Sequence, residues 1–292
     1  IGHDIGHAPF GHTGEKILDD IVKTYIYKDS KEEGKVFWHE KNGVRFADDI
    51  ELLEDPDGNF DNMHLTYAVR DGIICHCGEV DQNGLRPRAE RMDLNMIQKA
   101  GEVEACTWEG CVVKMADKIA YLGRDIQDAK TMGYLSDDML VELNCKINKD
   151  ADHVVNTTNI IQEMIADICD NSSPEKGILL SAEKNEQLKI IKEFNYKYIY
   201  GNSRLHPFEE YAGLVLGELF KALYSYYDGE KTFARLEKNE FDRRPFVRNF
   251  AEWLIGYTEI TDDMKKDVSS GWRDCIEKES AVHLNKRIYG HL

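Results

Sequence analysis

The chain is short of proline, of cations and of long apolar runs, and each shortage narrows what it can be. Proline occurs six times in 292 residues, and Val/Ile-rich alternating runs are few, so the pattern leans to helix over sheet. Lysine and arginine number 37 against 54 aspartates and glutamates, a formal net charge of −17. Nucleic acid and anionic membranes need clustered cations, so neither is expected as a partner. A small phosphorylated substrate stays open, because a metal and a few local cations reverse the field inside a pocket. The cysteines number seven, and only Cys75 and Cys77 are close together. That is no disulfide framework, and free thiols suit a reducing cytoplasm. No run of about 18 apolar residues occurs, so no membrane span is expected. No signal peptide is legible, and a chain opening at Ile1 is expected to have its natural beginning upstream.

What is present is helical periodicity. The spacing predicts helices over 37–54, 109–129, 136–147, 152–170, 183–200, 209–229 and 246–257. Within 109–129, Val113, Ala116 and Ala120 form one stripe, with Val112, Ile119 and Leu122 around it, as in a central helix. Turn-rich loops are expected over 53–62, 78–87 and 169–177, the second with a hairpin at Asn83-Gly84. The expectation is an all-α fold, divided into a site-bearing core over 1–170 and a helical region over 171–292 packed on it.

The densest chemistry is at the start, where IGHDIGHAPFGHTGE places His3, Asp4, His7, His12 and Glu15 within thirteen residues. On a helix the adjacent His3 and Asp4 diverge by about 100°, and His7 falls on the face of His3. Gly6, Pro9 and Gly11 then turn the chain and present His12 and Glu15 from a new direction. Solvated histidines at a polar helix end explain one such residue better than the whole set.

The stretch HDIGHAPFGHTGE (3–15) resembles the signature of HD-domain deoxynucleoside triphosphate triphosphohydrolases, the dGTPase-like family. The His-Asp pair is common to HD phosphohydrolases, and the PFGHxGE extension is much more specific to this branch. KMADKIAYLGRDIQDA (114–129) resembles the family's ADxIAY helix, FWHEKNGVRF (37–46) its His-containing helix, and NMHLTYAVRDGIICH (62–76) its NLTxxxRDGIxxH segment. These motifs run in the family's order over about residues 1–135, and the C-terminal half matches loosely. The resemblance implies an HD-domain helical phosphohydrolase fold. It also implies a divalent metal held by His3, Asp4 and Asp117, with a fourth ligand in a segment that would precede Ile1. His39 and Glu40 map onto the helix that reaches the substrate phosphates, and Arg70, Asp71 and His76 stand at corresponding places. His76 between two cysteines is a weak sign of a thiolate metal site.

The implied reaction releases deoxynucleoside and intact inorganic triphosphate from a dNTP. His12, positioned by Glu15, is expected to move the proton or activate the nucleophile, and His7 and His39 to contact phosphate or protonate the leaving group. Lys118 and Arg45 would offset phosphate charge, with surface solubility as the plainer reading of each. Tyr121 would border the sugar and Asp125 accept from its 3′-hydroxyl, both on the helical face of Asp117. Mn, Mg, Fe, Ni and Zn all remain open for such a donor set. A homo-oligomer is implied. A monophosphate nucleotidase of the HD type and a nucleotide sensor without catalysis are the alternatives.

Overall fold

The computed structural model describes residues 2–26, 37–58, 60–77, 83–148, 152–229, 231–238, 245–257, 261, 264, 268–270 and 272. Among them the fold is all-α apart from one small hairpin. The helices are α1 (Gly11–Ile21), α2 (His39–Arg45), α3 (Tyr67–Ile74), α4 (Trp108–Thr131), α5 (Asp137–Asn148), α6 (Thr157–Asn171), α7 (Ala182–Asn195), α8 (His206–Tyr224), α9 (Thr232–Lys238) and α10 (Pro245–Ile255). Wider π-helical turns extend α1 over Val22–Ile26, α2 over Phe46–Ile50 and α7 over Tyr196–Tyr200.

The longest helix, α4, is punctuated at both ends. Thr107 accepts from the Gly110 amide at 3.1 Å, which satisfies one of the orphan donors of the first turn. At the other end Gly133 takes φ +71°, and the Tyr134 and Gly133 amides return to the Ala129 and Lys130 carbonyls at 2.8 and 2.9 Å. This is a Schellman closure, which favours glycine at its left-handed position.

One face of α4 carries Cys111, Met115, Ile119, Leu122, Ile126 and Ala129 into the main core, shared with α5, α6 and α7. A fully buried Leu or Ile there contributes about 1.5–3 kcal/mol. Helix α6 crosses closely at Gly123, where an added Cβ would stand 2.9 Å from Ile161. The core face is not the stripe expected from the sequence: Ala116 and Ala120 are exposed and Val113 is half-buried. Those small residues flank Asp117 on the opposite face and leave it reachable.

A second cluster joins α2 and α3 through Trp38, Val44, Ile73, Ile74, Leu94 and Ile97. A third gathers Phe233, Leu236, Val247, Ala251, Ile255, Val268 and Trp272. Helix α8 packs along α1, where Leu216 meets Gly14.

Several boundaries depart from the expectation. The segment 53–62 holds an antiparallel pair, Leu53–Glu54 with Phe60–Asp61. Helix α6 starts at Thr157, where Asn156 accepts from the Asn159 amide, and α8 ends at Tyr224, short of Asp228-Gly229. Of the loop at 78–87, residues 78–82 lie outside the described residues, and Leu85 pairs with Ile178 in an isolated bridge.

Candidate active site

The opening motif is not helical at its start. Residues 3–6 form turns, closed by Ile5 N–H to Gly2 O at 3.3 Å and His7 N–H to Asp4 O at 3.0 Å. The single-helical-face relation of His3 and His7 is therefore replaced: the turn brings His7 Nδ1 to 3.9 Å from Asp4 Oδ1. Two glycines permit this path. A Cβ on Gly6 would fall 2.1 Å from Gly43 N and 2.3 Å from His39 O, and one on Gly14 would fall 1.7 Å from Pro9 O. Phe10 (φ 65°) and Gly11 (φ 63°) then turn the chain into α1 in the left-handed region. For phenylalanine that conformation is strained. Its ring is held edge-on against Phe208 and Tyr211 of α8, with centroids 5.9 and 6.3 Å away.

The turn places His3 Nε2 at 3.1 Å from Asp4 Oδ2 and 3.6 Å from Asp117 Oδ1 of α4. The three residues named from the sequence as metal ligands thus come together from two distant segments. His3 Nε2 is close to both carboxylates, and one imidazole with two carboxylates is a donor set whose chemistry fits a divalent cation.

Beside this group lie His7, His12 and His39, with ring centroids 5.0 to 5.6 Å apart. Glu15 organises two of them. Its Oε2 takes His12 Nδ1 at 3.0 Å, and its Oε1 takes His39 Nδ1 at 3.1 Å and the His39 backbone amide at 2.8 Å. That amide opens α2, and Trp38, the residue before it, caps nothing with its side chain. Glu15 therefore supplies an N-terminal cap from another helix while it orients both imidazoles.

Electrostatics follow from these contacts. Burial works against ionised Glu15, yet its bonds to His12 and His39 hold it below the usual carboxylate range. The Glu15 bond raises His12 above the ordinary histidine value. Burial opposes the charge on His39, but Glu15 and the adjacent Glu40 raise it too. His7 goes the other way, lowered by burial and then by the nearby His39. One histidine is thereby biased toward the neutral form and two toward the protonated form.

The other residues singled out from sequence divide. Tyr121 and Asp125 follow Asp117 on successive turns of α4. The carboxylate of Asp125 accepts from the Tyr200 hydroxyl; burial raises its pKa, and the charge of His12 acts on it. Tyr200 was not legible as a site residue because it sits 75 positions away, on the π-helical end of α7. Lys118 is half-buried next to Asp117, whereas Arg45 is exposed on α2, where it acts on Asp49. Arg70 pairs with Asp48 at 2.7 Å. His76 is fully buried within 4.9 Å of the His3 ring. In the sequence it stood out as part of a matching segment and as a histidine between two cysteines.

No protein-family model matches the chain. Curated relatives do. A deoxyguanosinetriphosphate triphosphohydrolase-like protein of Desulfatibacillum aliphaticivorans is 31% identical over 227 residues, covering 75% of this chain and 54% of the relative. Proteins of the same name from Caldanaerobacter subterraneus subsp. tengcongensis and Clostridium perfringens (strain 13) are 29% and 28% identical, each over 89% of this chain and over 62% and 64% of the relatives. The chain thus spans somewhat over half the length of the proteins it matches. On these relatives and on the motifs gathered around Asp4, the chain belongs to the family of deoxyguanosinetriphosphate triphosphohydrolase-like proteins.

Proposed function

We propose that the protein hydrolyses deoxynucleoside triphosphates to deoxynucleoside and inorganic triphosphate with the help of a divalent metal. The observation that carries this reading is the adjacency of two groups: the His3, Asp4 and Asp117 donors, and three histidines of which two are set by Glu15.

His3, Asp4 and Asp117 would hold the cation, which when bound polarises a phosphoryl oxygen and acidifies water. In the reaction a water oxygen joins the α-phosphorus, the bond from that phosphorus to the 5′ oxygen breaks, and the 5′ oxygen takes up a proton. His7, biased to its neutral form, suits acceptance of the proton from water. His12 and His39, biased to protonation and oriented through Nδ1, suit donation to the leaving oxygen and to phosphate oxygens. Tyr121 and the Tyr200-bound carboxylate of Asp125 form the wall assigned to the sugar, and Lys118 adds positive charge beside Asp117. The acidic surface leaves a small phosphorylated ligand open, because a bound cation and Lys118 would offset phosphate charge locally.

The test is direct: incubate the chain with each dNTP and Mn²⁺ and separate the products by anion exchange. Deoxynucleoside with intact triphosphate is the expected result. Orthophosphate or pyrophosphate would assign another HD phosphohydrolase chemistry. Nucleotide binding without turnover would leave a sensor. Self-association is part of the same reading, supported by Phe208, Tyr211, Leu214 and Leu219 exposed along α8, and light scattering reads it out. No helix among the described residues is long and apolar enough to cross a membrane.

A further inference from the structure

His76, just past the carboxyl end of α3, is 1% exposed and has no role in the reaction described above. Its Nδ1 meets the Ile73 carbonyl oxygen at 2.7 Å. A carbonyl only accepts, so Nδ1 carries the proton and Nε2 presents a bare lone pair. That buried nitrogen has no hydrogen-bond partner, a condition that proteins seldom tolerate without a ligand or a water.

What faces it is the metal-donor group. Asp4 Oδ1 stands 3.9 Å from His76 Nε2, too far for a hydrogen bond, and one ligand atom from each of His3, Asp4 and His76 lies within 4.8 Å of the others. A lone pair and a carboxylate oxygen repel with nothing between them, and a cation there turns repulsion into two bonds. Donors around one ion with bonds near 2.0–2.2 Å stand about 3–4 Å apart. The 3.1 Å from His3 to Asp4, 3.6 Å from His3 to Asp117 and 3.9 Å from His76 to Asp4 all fall in that span.

His76 has a second set of neighbours in His39, Glu40 and Cys77. There the His39 ring is already held through Nδ1 by Glu15 at 3.1 Å and approached by Glu40 at 3.3 Å, with both His39 and Glu40 buried. The side chains of His3 and Asp4 are 31% and 56% exposed, so a hydrated cation can reach them. One lone pair serves one cation, and accessibility favours the His3–Asp4 side.

We infer that His76 Nε2 is a further protein ligand of the divalent cation held at His3, Asp4 and Asp117. The inference rests on the metal reading proposed above. The experiment is Mn²⁺ binding by the full chain, measured by titration calorimetry, with nitrogen couplings to the bound ion read by pulsed EPR. His76→Asn keeps a side-chain N–H for the Ile73 carbonyl and removes the ligand nitrogen, whereas His76→Gln returns an amide oxygen near its place. The Asn variant should weaken Mn²⁺ at least about tenfold and lose one imidazole coupling, and the Gln variant should recover part of the affinity. If His76→Asn does not fold, the His3→Ala variant decides: a remaining imidazole coupling supports the inference, and none overturns it.

Unchanged affinity and couplings in His76→Asn, with binding abolished by Asp4→Ala, would overturn the role of His76 and leave the metal site standing. No Mn²⁺ binding by the parent chain would overturn both. A thiolate charge-transfer band on Co²⁺ loading, lost in Cys77→Ser, would place His76 on the His39–Cys77 side and also overturn it.

Discussion

Asp71 and His76 lie five residues apart around the end of α3, and both are buried, at 0% and 1% exposure. Their surroundings could hardly differ more. Asp71 is saturated: one oxygen accepts from the Cys106 amide at 2.6 Å, and the other accepts from the Arg88 guanidinium. Arg88 in turn donates to the Tyr67 hydroxyl at 2.7 Å and the Glu104 carbonyl at 2.6 Å. Burial and the charge of Asp71 also push the Cys75 thiol beside this knot up to about 12, so it is inert. His76 keeps an unanswered lone pair turned to the cation donors. A single sequence segment, RDGIICH, thus supplies both scaffold and site. Whether each buried polar atom has its partner tells the two apart.

The largest effect should come from the site side. Asp4→Ala removes a charged donor, and with several kcal/mol of charge stabilisation lost, dNTP turnover should fall by roughly three orders of magnitude. The thermal midpoint should barely move, since Asp4 is half-exposed and supports no core contact. On the scaffold side the pattern inverts. Asp71→Ala leaves Arg88 partly buried and uncompensated, so urea unfolding should show a loss of about 3–5 kcal/mol. A variant of Asp71 that kept stability but lost turnover would break the contrast.

Glu15 belongs to both sides, and Glu15→Gln should show it. Proton transfer by His12 should drop by about 10²-fold in kcat, and stability should fall in a pH-dependent way. Glu15 is held below its ordinary 4.5, so its contribution is present above that value and lost as acid protonates it in the fold. His12 and His39 are held above their ordinary 6.5, so their contribution is complete below it and lost as alkali removes their protons. The parent's advantage in melting temperature should therefore be greatest between those two values and shrink as the pH rises above the upper one. An advantage flat with pH would mean that the carboxylate acts only as a helix cap.

The smallest effect is expected from Tyr200→Phe. One hydrogen bond to Asp125 is removed, worth about 0.5–1.5 kcal/mol net, so KM should rise up to about tenfold. The bond lowers the Asp125 pKa against the upward pull of burial. Without it the acid limb of kcat/KM should move to higher pH. A profile that does not move would detach Asp125 from substrate binding.

Some of this was legible in the residues. The register of Asp117, Tyr121 and Asp125 needs only a helix, and α4 is long enough for its periodicity to be unmistakable. The His-Asp pair and the Glu15–His12 spacing also survive folding. Helices α3 and α9, of eight and seven residues, escaped notice because a short helix holds too few turns for a period to stand out. The stripe through Ala116 and Ala120 was misread because alanine suits either an exposed or a buried face. The cap that Glu15 gives α2 spans 24 positions, and no local pattern records such a contact.

By itself the sequence determined the class of the molecule: a helical chain, acidic outside, with a dense set of imidazoles and carboxylates suited to a divalent ion and to proton transfer. Those properties are local or compositional, and they follow from residue chemistry and helical spacing alone. Tertiary structure decided which of these groups meet. Gly6 lets the opening turn lie against α2 because no Cβ intervenes, and α1 sends Glu15 across to His39. The end of α3 buries Asp71 among donors and His76 beside His3, Asp4 and His39. The partners of a buried polar atom come from chain segments that only the packed core brings within bonding distance.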